Sequence, residues 1–212
     1  MDADELLRRY QAGERNFTSV CLHSVNLSEV CLAGINLSRA SLVNVTLSHS
    51  MLRGANLIEA NLAASYLWRT NFSGANLIWA NLKAANLIRA NLSEVDLHKA
   101  SLQKADLRLA QLQNADLSGA DLSGADLSYA NLSGANLVGA NLNSANLTGA
   151  NLSQADLSYA SLSKTILFKA DLSDVDLSQV NLTKVDLYDC LLSNSHELFI
   201  PIQEEKELET QV

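Results

Sequence analysis

Cysteine, proline and aromatic residues are scarce in this sequence, and each scarcity argues against a class of protein. The 212 residues include three cysteines, one proline and 5% aromatic residues. Cys21, Cys31 and Cys190 lack the spacing of disulfide frameworks and metal sites, so we expect reduced thiols in a cytoplasmic protein. Few aromatic residues are typical of a core too narrow for rings. No apolar run approaches the about 20 residues of a membrane-spanning helix, and the charged start MDADELLRRY is unlike a secretory signal, so we expect no membrane segment.

What the sequence has instead is a repeat of five residues. Residues 115–154 hold eight units without an insertion, ADLSG ADLSG ADLSY ANLSG ANLVG ANLNS ANLTG ANLSQ. The same register gives 36 central positions from Phe17 to Leu192, of which 34 are Leu. The residue two before the centre is Ala 21 times, and the residue just before it is Asn or Asp 25 times. The two residues after the centre vary freely.

A period of five fits neither a regular helix nor a regular strand. On an α-helix each Leu would lie about 140° around from the last, and on a strand alternate leucines would face opposite ways. The pattern therefore predicts a chain that turns a corner in every unit, with every centre pointing inward. All glycines except Gly13 lie two residues after a centre, so we expect that position to adopt backbone geometry that other residues resist. A short fixed period is typical of a solenoid.

The pattern resembles that of the pentapeptide-repeat family, A(D/N)LXX, over residues 15–194, and ELLRRYQAGERNF resembles the lead-in of cyanobacterial members. The resemblance implies an all-β solenoid, a right-handed quadrilateral parallel β-helix of about nine 20-residue coils. Such a rod would be on the order of 40 Å long. Its core would contain the central leucines, among them Leu117, Leu122, Leu127 and Leu132.

The ends of the chain depart from the repeat and predict separate segments. Residues 1–14 favour a short capping helix that begins at Asp2 or Asp4 and ends at Gly13. Residues 195–212 favour a C-terminal cap followed by an acidic, disordered tail. The apolar residues near the only proline either cap the last coil or pair with another chain, so both a monomer and a homodimer are open. These residues are Leu198, Phe199, Ile200 and Ile202.

The positions after the centres place large side chains on two sides of the predicted rod. One side gathers aromatic, aliphatic and arginine residues in consecutive coils, and later Tyr129, Phe168 and Tyr188. The opposite side gathers Ile58, Glu59, Ile78, Trp79, His98 and Lys99. Two interpretations are open: a protein interface, or surface variation of a drifting repeat. The candidate interface residues are Trp68, Arg69, Ile88, Arg89, Arg108 and Leu109.

Catalytic chemistry is not expected. An active site needs groups that converge in a concavity, whereas His23, His49 and His98 are predicted on three different sides and in distant coils. The sequence has no phosphate-binding loop, and its aspartates fit turns better than a metal site. We therefore expect no enzyme, no cofactor, no metal and no small-molecule substrate.

The best functional hypothesis is a protein-interaction scaffold with an unidentified protein partner. The resemblance adds two alternatives: DNA mimicry that protects a type II topoisomerase such as gyrase, and regulation of bacterial cell differentiation through protein contacts. Mimicry needs a dense field of one sign, but residues 15–194 carry 14 acidic and 12 basic side chains. The basic residues also form no long stripe, so we do not expect nucleic acid as a partner.

Overall fold

The computed structural model of the protein describes residues 1–182, 185 and 187–192. The predicted apolar cap or dimer contact, Leu198, Phe199, Ile200 and Ile202, and the acidic tail lie outside the described residues. Both stay predictions.

The chain begins with a short helix, α1, which spans Ala3–Gln11. Of the two caps that the sequence allows, Asp2 is the one observed, because its carboxylate accepts a 2.8 Å hydrogen bond from the backbone N–H of Glu5. Such a side chain satisfies one of the backbone donors left unpaired in the first helical turn. The helix ends at the C-cap Ala12, and Gly13 follows with a positive φ of 96°, a conformation that glycine adopts without steric cost.

Helix α1 packs on the first coils through its apolar side. Leu6 is fully buried and belongs to the same core as the repeat leucines. The hydroxyl of Tyr10 donates a 2.8 Å hydrogen bond to the backbone oxygen of Ala33. The helix thus buries apolar surface at the beginning of the repeat.

The repeats stack as parallel coils. The residue before each central position pairs with the residue 20 positions later, from Asn16 with Asn36 onward to Asn151 with Asp171. Since each unit has five residues, four units form one coil with four sides. Most of these pairings are single bridges, and among the described residues only two strands are longer. They are β1, Asp171–Leu172, and β2, Leu191–Leu192, which pair in parallel.

Each corner is a tight turn between one central residue and the next unit. The backbone N–H of Ala40, for example, donates to the oxygen of Leu37 at 3.0 Å. The second residue of the turn lies in the left-handed region, at φ 58° for Arg39 and 66° for Gly139. This confirms the prediction made from the glycines. Isoleucine and valine occur in the first turn position, as in Ile58 and Val138, but never in the second, because β-branched residues resist positive φ.

The frequent Asn and Asp before each centre also have a physical reason. Their side-chain oxygen accepts the backbone N–H two residues later, as Asn36 does from Ser38 at 3.1 Å and Asp116 does from Ser118 at 2.9 Å. An unpaired N–H at the corner would otherwise cost free energy. Some amides also bond between coils: the side chain of Asn136 donates to Asp116 at 3.2 Å.

The core is a column of leucines lined by alanines. Leu117, Leu122, Leu127 and Leu132 all have 0% exposed surface. Where serine or threonine replaces the small alanine, its hydroxyl donates to a backbone oxygen of the preceding coil. The buried Thr70, for example, donates to the oxygen of Leu47 at 2.7 Å. The core therefore tolerates a small polar residue only where a carbonyl lies within reach.

Candidate protein-interaction surface

The six candidate residues lie on one side of the rod, in three consecutive coils. We call this the Trp68 side: the outward residues of the units centred on Leu47, Leu67, Leu87 and every further Leu at intervals of 20 residues. Its backbone is held by the ladder between coils. The N–H of Arg69 donates to the oxygen of Ile88 at 3.0 Å, and the N–H of Arg89 donates to the oxygen of Arg108 at 2.9 Å. The side chains therefore project from a fixed frame.

Trp68 is held by two neighbouring side chains. The His49 ring meets it edge-on, with centroids 4.5 Å apart and planes at 87°. The Arg69 guanidinium lies 4.8 Å from its ring centroid, a cation–π geometry. Even so, 37% of Trp68 remains exposed. An aromatic side chain with a fixed orientation and an open surface suits a binding anchor, because little conformational entropy is lost when a partner covers it.

The three arginines of the Trp68 side differ in their partners. Arg108 donates two hydrogen bonds to Asp106, at 2.8 and 2.7 Å. The hydrogen bond to Asp106 raises the pKa of the Arg108 guanidinium. Arg89, by contrast, has no ion pair with any described residue. Arg108 is therefore paired with a carboxylate of the rod, whereas Arg69 and Arg89 have no ion pair with any described residue.

The apolar candidates also differ in what they present. Ile88 is half-buried between the coils, whereas Leu109 is 40% exposed. Further along the same side Phe168 and Tyr188 stack with centroids 5.9 Å apart and planes 3° from parallel. The large, exposed apolar side chains of this side outnumber those of any other side in the described chain. They are Tyr66, Trp68, Leu109, Tyr129, Ile166 and Tyr188.

Comparison with known proteins decides the family. The model of the family described as pentapeptide repeats matches in eight copies that together span residues 21–196. The chain belongs to the pentapeptide repeat family. The resemblance seen in the sequence is thereby confirmed, and the stacked coils described above are the β-helix of this family.

Two structures of known proteins resemble this pentapeptide repeat protein. The first is HetL, a pentapeptide repeat protein involved in heterocyst differentiation regulation in the cyanobacterium Nostoc sp. strain PCC 7120. It is 35% identical, covers 90% of this chain and 94% of its own, and has a TM-score of 0.53. The second is full-length QnrB1, a plasmid-mediated fluoroquinolone resistance protein, at 17% identity, 84% and 94% coverage and a TM-score of 0.64. At that identity QnrB1 shows the fold alone. Among curated proteins, no sequence matches this chain.

The opposite side of the pentapeptide rod carries a second tryptophan with different neighbours. Trp79 is 56% exposed, and the Lys99 amine lies 4.9 Å from its ring centroid. Arg39 and Glu59 on this side form a 3.1 Å ion pair. This side has fewer exposed apolar residues than the Trp68 side, and its arginine is paired within the rod. It therefore provides control substitutions for the Trp68 side.

Two contributors to the Trp68 side were missed by the sequence analysis. Tyr66, 56% exposed, precedes the centre Leu67, where Asn or Asp is the rule. That departure from the pattern was the available signal. His49 was assigned only to a side of the rod. Its ring contact with Trp68 depends on side-chain directions that the repeat does not encode.

Within the described residues, no group of histidine, cysteine and acidic side chains could hold a metal ion. Over the same residues, no helix is long and apolar enough to cross a membrane. Cys21, Cys31 and Cys190 form no disulfide with one another, and the Cys190 thiol donates a 2.9 Å hydrogen bond to the backbone oxygen of Leu167.

Proposed function

We propose that this protein is a non-catalytic scaffold that binds a protein partner through the Trp68 side. One observation carries the proposal. An exposed Trp68, in contact with His49 and Arg69, lies one coil before Arg89, a cation without an ion pair in the described chain. Tryptophan and arginine are the residues most enriched at binding hot spots.

The stiffness of the rod supports the same proposal. The residues of the Trp68 side lie in successive coils, and the backbone hydrogen bonds of the ladder are 2.9 to 3.0 Å long at Arg69 and Arg89. A preorganised surface loses little entropy on binding, so few contacts suffice for useful affinity. The side chains thus form an anchor whose spacing is set by the coil repeat.

The double variant Trp68→Ala/Arg89→Ala is expected to bind a captured partner at least ~100-fold more weakly, since each hot-spot side chain contributes roughly 2 kcal/mol or more. Partners are captured with the full-length protein, identified, purified and titrated by calorimetry. The matched control is Trp79→Ala/Lys99→Ala, which removes the same kinds of side chain from the opposite side and should leave affinity unchanged. Circular dichroism checks that both variants fold. Equal loss in both variants, or no loss in the first, would contradict the proposed surface.

A second candidate function is regulation of bacterial cell differentiation through protein contacts. The observation that favours it is the likeness to HetL over 90% of this chain at 35% identity. We expect expression of this protein in Nostoc sp. strain PCC 7120 to change the fraction of cells that become heterocysts. The Trp68→Ala/Arg89→Ala variant, expressed at the same level, should have no such effect. An unchanged heterocyst fraction with the wild-type protein argues against this role.

Gyrase protection by DNA mimicry has less support. The likeness to QnrB1 concerns the fold, and the repeats carry nearly balanced charge, with 14 acidic and 12 basic side chains in residues 15–194. Much of the net charge of −8 belongs to the two ends of the chain. A phosphate backbone has one charge per about 1.7 Å of duplex, a density that this mixed surface does not reproduce.

We propose a right-handed rod of about nine coils, with helix α1 as a lid on its first coil. A cytoplasmic location and the choice between a monomer and a homodimer stay predictions.

A further inference from the structure

We infer that the partner of the Trp68 side contacts it with an acidic segment, in which a carboxylate neutralises Arg69 and Arg89 and a nearby apolar side chain covers Trp68. This inference rests on the proposed function and specifies the chemistry of the partner. It follows from the charges of neighbouring coils, from the exposed rings and from the short extent of the basic patch.

The first argument is how the rod pairs its own charges. Residues 20 positions apart are neighbours in adjacent coils, and two outward bases of the described chain have an acid at the next such position. Arg39 pairs with Glu59 at 3.1 Å, and Lys169 pairs with Asp189 at 3.8 Å.

Arg69 and Arg89 are also 20 positions apart, but both are cations. The residue before Arg69 in this column is His49 and the one after Arg89 is Leu109, so the column holds no acid at either neighbouring position. Adjacent coils are about 4.8 Å apart, and like charges at that spacing repel each other. The rod leaves this pair of cations without an internal carboxylate in the same column.

The acids of the following coils are already engaged. Asp106 accepts both hydrogen bonds of Arg108, and the carboxylate of Asp126 lies 3.9 Å from the same guanidinium. Neither of these two carboxylates therefore pairs with Arg89. A carboxylate from outside would neutralise this pair of cations, because a guanidinium binds a carboxylate through two parallel hydrogen bonds.

The second argument is the apolar surface beside the two cations. Trp68 and Tyr66 flank the same central leucine, Leu67, and are 37% and 56% exposed. The Trp68 ring contacts the Arg69 guanidinium, and the exposed Tyr66 ring belongs to the same unit. An aromatic or aliphatic side chain of the partner would bury these rings while its neighbouring carboxylate meets the guanidiniums. Charged and apolar contacts of this kind together give both orientation and affinity.

The third argument separates an acidic protein segment from a nucleic acid. On the described part of the Trp68 side, the cations without an ion pair occupy two coils, and the same side carries Asp106 and Asp126 in the next two. A phosphate chain that continued along the rod would meet those acids. Two phosphate contacts would also release few counterions. Each neutralised phosphate adds only about −0.9 to the slope of log affinity against log salt concentration. A short acidic peptide avoids both penalties.

The test is a selection of random dodecapeptides displayed on phage against the immobilised full-length protein. We expect enriched peptides to place glutamate or aspartate beside an aromatic or aliphatic residue. A synthetic copy of the best peptide should bind Arg69→Gln/Arg89→Gln at least ~10-fold more weakly than wild type, as expected for lost hydrogen bonds between charged groups. The matched control Arg53→Gln/Lys104→Gln removes two cations from other sides and should bind the peptide within about twofold of wild type.

Several results would overturn the inference. They are enrichment of neutral or basic peptides, no enrichment at all, or equal binding of the acidic peptide to wild type and Arg69→Gln/Arg89→Gln. Tighter binding of a 20-nucleotide single-stranded DNA than of any selected peptide would assign the patch to nucleic acid instead. If neutral peptides bind and are lost only with Trp68→Ala, the acidic partner is wrong but the proposed surface stands. If peptides bind regardless of Trp68 and both arginines, the proposed surface fails too.

The acidic end of the chain itself is a competing occupant. Residues 203–212, QEEKELETQV, contain four glutamates and one lysine. The full-length variant Glu204→Gln/Glu205→Gln/Glu207→Gln/Glu209→Gln tests this. Acidic peptides that bind this variant but not the wild type would show that the chain covers its own patch, which overturns an external partner. Equal affinity for both proteins supports the inference.

Discussion

Replacing Leu127 with asparagine is expected to destabilise the protein by about 4–6 kcal/mol. Leu127 has no exposed surface, and it lies among alanines and leucines of its own and adjacent coils. The substitution removes apolar contacts, which costs roughly 2–5 kcal/mol for a buried leucine. It also buries an amide for which the column of leucines offers no designed partner, at about 1–3 kcal/mol.

The measurement is urea unfolding followed by far-ultraviolet circular dichroism. Leu127→Met serves as the control, because it conserves volume and should cost less than about 1.5 kcal/mol. Should the asparagine variant unfold within about 1 kcal/mol of the wild type, the interior at Leu127 is not the dry column that the structure shows. A large effect is expected because a solenoid coil contacts only its neighbours, so a defect in one coil interrupts the whole stack.

Replacing Gly149 with valine is expected to destabilise the protein by about 2–3 kcal/mol, the second largest effect that we predict. Gly149 has φ +64°, a conformation that a β-branched residue resists. A Cβ at this position would also lie 2.6 Å from a ring carbon of Tyr129, so the ring would have to move. Tyr129 is 63% exposed and can turn away, so the backbone provides most of the cost.

Gly139→Val is the matched control for this substitution. Gly139 has nearly the same φ, +66°, but nothing lies within 4 Å of its added Cβ. Urea unfolding of the two variants separates the backbone cost, which they share, from the displacement of Tyr129, which only one of them suffers. We expect Gly139→Val to cost about 1–2 kcal/mol. If neither valine lowers stability, the second turn position does not enforce a left-handed backbone.

These two predictions concern features that the sequence already indicated. The centre of every unit is an apolar residue in the same register, and Leu127 could be placed in the core from that register alone. The glycines indicated the left-handed turn position, which the φ values at Gly139 and Gly149 confirm. The Asn and Asp residues indicated corners, and the hydrogen bond from Ser118 to Asp116 shows how they work. A strict repeat makes such inferences strong, because every unit gives the same evidence for the role of each position.

The candidate interaction surface was predicted less completely. Sorting the sequence by intervals of 20 residues placed Trp68, Arg69, Arg89 and Arg108 on one side. It could not show that Arg108 is held by Asp106 while Arg89 has no ion pair among the described residues. That difference depends on which way long, flexible side chains turn. Removal of charge at Arg89 is therefore expected to matter for binding more than the same change at Arg108.

The sequence by itself determined the family, the five-residue unit, the inward leucines and the turn positions. Each of these depends on local backbone geometry and on which residues can be buried, and both are encoded by residue type and spacing. Only the tertiary structure decided that His49 and Arg69 contact Trp68, that Tyr66 is exposed and that Arg69 and Arg89 have no ion pair with a described residue. The His49 contact joins residues of adjacent coils, 19 positions apart in sequence, whereas the Arg69 contact lies within one unit. The directions of these side chains depend on packing within and between coils, which the five-residue period does not encode.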